Sequence, residues 1–198
     1  MLKKDMAYFA RVTKRAPVPR NTGSLQSDTL KESILKGTSR NVVIMGRKTW
    51  ESIPPKRRPL PERTNIVITS QNRSDLDDIP DDVVVASDIQ SGLKTLEDMV
   101  KQGRSLPATR AFVIGGASIY KAALELPQAN RILMTRISKD YECDTFFPDV
   151  LDDTASGWQP ASHAEHHNFV GEDIDDGPVS QAVGEEDISM KFQLYERN

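Results

Sequence analysis

The chain has 198 residues, enough for one sizeable hydrophobic core and short for two independent ones. Its 26 basic and 29 acidic residues leave a net charge of −3, which excludes the broad positive field of a general nucleic-acid or anionic-membrane binder. No apolar run is long enough to span a bilayer, residues 1–5 do not lead into a signal-peptide core, and the single Cys143 cannot form an internal disulfide, so a cytoplasmic protein with no membrane or nucleic-acid partner is expected.

Residues 2–13 have helical spacing, and Leu2, Asp5, Met6 and Phe9 share one face. A carboxylate among apolar neighbours is costly unless something pairs with it; the alternative for Asp5 is an ordinary acid near a helix N-terminus, favoured by the macrodipole. A Pro-, Gly- and Ser-rich inserted loop follows over 14–40, interrupted by a short helix near 29–35. Strands are expected at 41–45, 65–69, 83–86, 111–114 and 131–137, separated by helices at 48–52, 89–101 and 118–124. This alternation predicts a single α/β domain over 1–198, its central sheet mixed but mostly parallel and flanked by helices. The tail reads as two long strands at 159–169 and 188–196, joined through an acidic surface loop at 171–187. His163, His166 and His167 are the only histidines and, with Glu165, lack a further ligand or cysteine support, so a solvated cluster and no metal site are expected. No nucleophile elbow accompanies them, which removes the hydrolase readings.

Two turns carry chemistry. The apolar run 42–45 halts at Gly46 and meets Arg47, Lys48 and Thr49, which places backbone N–H groups and two cations where an anion could sit. Taken alone, it reads equally well as a strand-to-helix turn with solvated charges. The device recurs where the strand 111–114 empties into Gly115 and Gly116 ahead of a helix, and glycines there allow a backbone approach that a Cβ would block. Neither turn has the Gly-x-Gly-x-x-Gly spacing of a Rossmann dinucleotide domain.

Four stretches in order, Ile-Met-Gly-Arg-Lys-Thr-Trp-Glu-Ser-Ile-Pro-Pro-Lys from Ile44, Arg-Pro-Leu-Pro-Glu-Arg-Thr-Asn from Arg58, Val-Ile-Gly-Gly-Ala-Ser-Ile-Tyr from Val113 and Asp-Thr-Phe-Phe-Pro from Asp144, resemble the eukaryotic, fungal-type dihydrofolate reductases. The resemblance runs from Leu2 to the C-terminus. It implies NADPH-dependent reduction of 7,8-dihydrofolate to tetrahydrofolate in one-carbon metabolism, by a monomer. Asp5 is then the single acid of the pterin pocket, with Thr135 hydrogen-bonding it, while Met6, Phe9, Ile53, Leu60 and Ile114 line the apolar slot and Arg63 clamps the substrate's α-carboxylate. Gly46, Arg47, Lys48 and Thr49, with Gly115, Gly116, Ala117, Ser118, Ile119 and Tyr120, hold the pyrophosphate region. Ser70, Gln71 and Arg73, with help from Arg47, read the adenosine 2′-phosphate, which argues for NADPH over NADH. Read without the family, Thr135 is an ordinary strand threonine, Arg73 a solvated cation, and Phe9, Ile53 and Leu60 plain core.

The family opens with a strand and a loop that have no counterpart here, so the expectation is a sheet without its first strand and little or no activity from residues 1–198 alone. Two rivals accompany this reading: a non-catalytic remnant that binds NADPH or folate, and a pyrimidine reductase of riboflavin synthesis on the same fold. Asp5, Phe9 and Arg63 together favour folate over the latter.

Overall fold

The computed structural model describes residues 2–17, 38–76, 79–151 and 154–197. The helix expected near 29–35, and most of the 14–40 loop, lie outside the described residues. The chain divides into two compact units, Thr13–Ala123 and Met1–Val12 with Leu124–Asn198.

The unit Thr13–Ala123 is built on a parallel sheet of β1 (Arg40–Gly46), β2 (Arg63–Ile68), β3 (Val84–Ala86) and β4 (Ala108–Val113), in the order β3-β2-β1-β4. Helices α2 (Arg47–Ser52), α3 (Ile89–Lys101) and α4 (Ala117–Leu124) alternate with these strands. Residues 41–45 and all of β2 are buried, which explains why both strands read as runs without alternation: a sheet covered on both faces has no polar side. Val43, Met45, Trp50, Val67 and Val83 form a core cluster, with Ile53, Leu60, Phe112 and Ile114 packed against it. Helix α3 starts at a capping box in which Asp88 accepts from the Ser91 N–H at 2.8 Å, and it lies so close to the sheet that only a glycine is accommodated at position 92.

The other unit is antiparallel. β8 (Glu186–Glu196) pairs with β5 (Arg131–Ile137) along one edge and with β6 (Gln159–Pro160) and β7 (Val179–Val183) along the other. Helices α1 (Lys3–Lys14) and α5 (His163–Val170) complete it, and Ile132, Trp158 and Tyr195 anchor its core, with Leu124, Met134 and Phe147 packed around them.

Three features differ from the sequence expectation. The long strand at 159–169 is a two-residue strand followed by helix α5, because Ser162 and Glu165 form a reciprocal capping box and Gly171, at φ 71°, closes the helix in the left-handed region. The stretch 171–187 contains β7, which reverses into β8 at Gly184, φ +66°. The histidines are not a uniformly solvated cluster. His163 is exposed and His167 half-buried, but His166 is only 4% exposed, since the helical turn carries it inward with Val170.

Candidate active site

In the unit containing β5 and β8, α1 presents a half-buried Asp5 to β5, where Thr135 Oγ1 donates to Asp5 Oδ1 at 2.8 Å. The carboxylate thus has a polar partner and is held in one orientation, as a bidentate acceptor for an incoming N–H pair requires. Phe9 is half-buried one turn along the helix, and Met6 beside Asp5 is 45% exposed, a large apolar side chain left open to solvent. Among residues the sequence singles out, Asp5 and Thr135 are brought together across 130 positions.

Sequence reasoning missed the groups that seat this helix. Tyr8, buried, meets His166 Nε2 at 2.7 Å and stacks on Phe192 with ring centroids 4.2 Å apart. Burial, then the charge of Glu172, pushes the Tyr8 phenol well above its ordinary value, while burial and neighbouring His163 bring His166 down to about 4. Arg11, one turn further, makes a two-pronged contact with Glu172 at 2.9 Å. At the other end Lys4 donates from its backbone to Gln181 Oε1 and from Nζ to the Ser180 carbonyl on β7. The available signal was Tyr8 sitting three residues after Asp5, on an adjoining part of the same helical face.

In the other unit, the expected substrate residues cluster around the turn between α2 and β2. Asn65, 3% exposed, accepts from Leu60 N–H at 2.9 Å and donates to the carbonyls of Leu60 and Arg63, which fixes Leu60 beside the core. The Arg58 guanidinium lies 5.3 Å from the Trp50 ring centroid and donates to the Trp50 carbonyl at 3.0 Å. Ile53, Leu60 and Ile114 are half-buried against the core cluster, so core packing and pocket lining are compatible here. Arg63 is 6% exposed and donates to Thr13 Oγ1 at 2.7 Å and to the Pro61 carbonyl at 3.1 Å; burial lowers its pKa against the opposing effect of Glu62.

The two glycine turns meet at the C-terminal ends of β1 and β4. Gly46 N–H donates to the Gly115 carbonyl at 2.8 Å, and Ile114 N–H donates to the Ile44 carbonyl at 2.8 Å. A Cβ on Gly46 would stand 3.1 Å from Ile119 Cγ1, and Gly115 has φ +112°, so the first turn needs glycine for close approach and the second for a backbone conformation that other residues rarely adopt. Gly116 opens α4 by accepting from Ile119 and Tyr120 N–H at 3.0 Å, leaving Ala117 and Ser118 in the first turn. Arg47 is half-buried and pairs with Glu51 at 2.5 Å, Lys48 is exposed, and Thr49 Oγ1 lies beside Gly116. Burial raises the pKa of Tyr120, which packs against Gly115. Glycines, first-turn N–H groups and two cations suit the phosphates of a dinucleotide. Ser70 and Gln71 are exposed after β2, with Gln71 N–H donating to Thr69 Oγ1 at 3.1 Å. Arg73 is committed elsewhere: its guanidinium donates to the carbonyls of Val83, Pro80 and Ile79, stapling the loop ahead of β3.

Comparisons of sequence and of fold with known proteins point to one family. The sequence model of the family described as dihydrofolate reductase matches residues 28–173. The chain is 36% identical over its whole length to a dihydrofolate reductase of Pneumocystis carinii, covering 86% of it. It is 34% identical to that of Schizosaccharomyces pombe, again over its whole length, but spans only 42% of that longer relative. Among solved structures, Schistosoma mansoni dihydrofolate reductase superposes with a TM-score of 0.67 at 28% identity, over 100% of this chain and 86% of the other.

Proposed function

The chain belongs to the dihydrofolate reductase family, and from that premise we propose that it reduces 7,8-dihydrofolate to tetrahydrofolate at the expense of NADPH. The observation that carries the reading is the Thr135–Asp5 hydrogen bond, which holds one acid, half-buried and oriented, on a helix that also bears Phe9 and Met6. Asp5 accepts from the amino and ring N–H groups of the pterin and so fixes its orientation. Its negative charge favours a protonated ring, and the proton that completes reduction of the C=N bond reaches the nitrogen through water.

NADPH, when bound, supplies the hydride. Gly46, Gly115 and Gly116 let the backbone approach its pyrophosphate, with first-turn N–H groups of α2 and α4, Arg47, Lys48 and Thr49 supplying donors and positive charge. Ser70 and Gln71, with Arg47, hold the 2′-phosphate; Arg73 contributes mainly by shaping that loop through its carbonyl contacts. Arg63, already oriented by Thr13 and Pro61, holds the substrate's α-carboxylate. The same reading makes the protein a monomeric, cytoplasmic enzyme of one-carbon metabolism.

The test is Asp5→Asn. Turnover of dihydrofolate should fall by about 10²-fold or more near neutral pH, with NADPH affinity nearly unchanged. An equal loss of NADPH binding would assign Asp5 to the fold and not to the pterin.

A further inference from the structure

We propose that Tyr8 and His166 are positioning residues for the pterin acid: the pair locks α1 against the β5–β8 ladder and thereby sets where the Asp5 carboxylate stands. The proposal rests on the functional reading above for its ligand, but its geometry is independent of it.

Asp5 and Tyr8 are three apart on α1 and project from neighbouring parts of one face. Their partners are also neighbours, because Thr135 and Phe192 are directly paired in the β5–β8 register and such pairs point to the same side of a sheet. The helix therefore sits on the ladder through both members of one cross-strand pair, Asp5 on Thr135 and Tyr8 stacked on Phe192. Stacking alone lets the ring slide. The Tyr8 hydroxyl removes that freedom by its 2.7 Å bond to His166 Nε2, a contact between buried groups from helices 158 residues apart in sequence.

The pairing is chemically consistent. With the phenol held protonated and the imidazole neutral in its Nδ1–H tautomer, Tyr8 O–H donates to Nε2, so the buried hydroxyl and Nε2 satisfy each other. The α5 helix that supplies His166 is itself fixed at both ends, by the Ser162–Glu165 box and by the Gly171 cap. The next residue, Glu172, grips Arg11 one turn beyond Tyr8. α5 thus holds α1 at two points on one face, and the slack this removes is slack in Asp5. A carboxylate that must meet two N–H groups at once tolerates little displacement.

The experiment compares Tyr8→Phe, which keeps the stacked ring, with His166→Leu, which removes the acceptor, and His166→Gln, whose Oε1 can still accept from the phenol. Tyr8→Phe and His166→Leu should weaken dihydrofolate binding by about tenfold, leave NADPH binding within about twofold, and in ligand-free protein shift the 13C resonance of the Asp5 carboxyl. His166→Gln should restore both readouts toward the wild type. In an Asp5→Asn background Tyr8→Phe should cost dihydrofolate no further affinity, since its effect runs through the acid. The proposal is overturned if the Asp5 resonance is unmoved in both loss variants, if NADPH binding falls as much as dihydrofolate binding, or if the loss persists undiminished in the Asp5→Asn background. A wild-type protein that does not bind dihydrofolate would sink the functional reading, while the ligand-free resonance would still decide the positioning role.

Discussion

Acidification from about pH 7 to about pH 5 should destabilise the protein through His166 before its capped carboxylates titrate. An unfolded imidazole takes up its proton near pH 6.5, whereas burial and the neighbouring His163 hold the folded His166 at about 4. Between those values the unfolded chain binds a proton that the native state refuses. The stability that neutral His166 contributes is therefore complete above about pH 6.5 and is lost as the pH falls towards 4. At 1.36 kcal/mol per pH unit the full interval corresponds to roughly 3 kcal/mol, of which roughly 2 kcal/mol falls above pH 5. That is a large share of a domain's usual net stability of about 5–15 kcal/mol. Tyr8 from α1, Arg11, Glu172 beyond α5 and His163 on α5 are the charged or titratable groups arrayed around this contact, and all four are common to both proteins compared below. Urea unfolding of wild type and His166→Gln at about pH 7, 6 and 5 isolates the effect, because the glutamine keeps an acceptor and removes the titration. The difference in unfolding free energy between the two should change by roughly 2 kcal/mol over that range, in the direction of relatively weaker wild type at low pH. Asp88 and Glu165, whose capping hydrogen bonds lower their pKa values, are common to both proteins and lose their contribution further down. Parallel curves for the two proteins would refute the reasoning and mean that His166 is protonated or solvated in the native state.

Arg63→Ala should weaken dihydrofolate far more than a pterin without the glutamate tail, and equal losses measured by fluorescence titration would defeat the clamp assignment. Arg47→Ala and Ser70→Ala should each narrow the preference for NADPH over NADH, with a loss of about 1.5–3 kcal/mol for NADPH where a charge-assisted contact is removed; parallel losses for the two cofactors would move these residues away from the 2′-phosphate. Gly92→Ala should cost about 1–3 kcal/mol in urea unfolding, because the added methyl would stand 2.8 Å from Ile66 Cγ2, a branch close to the backbone that cannot swing away. An unchanged midpoint would mean that α3 shifts from the sheet at little cost.

Local pattern was sufficient for much of the molecule. The strand at 131–137 and the helix at 89–101 agree with the structure at both ends, since side chains alternating between two faces, or recurring every three to four residues, report burial directly. The glycine turns were equally legible, because the requirement for no Cβ is a property of the residue itself. Where reading failed, a local signal was outweighed: the 159–169 segment contained Ser162-His163-Ala164-Glu165, a capping box, yet its apolar and polar residues suggested a strand. Partnership is a different matter. That Thr135 meets Asp5 followed from family resemblance, but that Tyr8 meets His166, that Asn65 pins Leu60, and that Arg73 is spent on the carbonyls of its own loop could be decided only by the folded chain. Single residues declare whether they tend to be buried or charged; which buried polar group satisfies which other depends on distances set by packing across more than a hundred residues, and no spacing along the sequence encodes those distances.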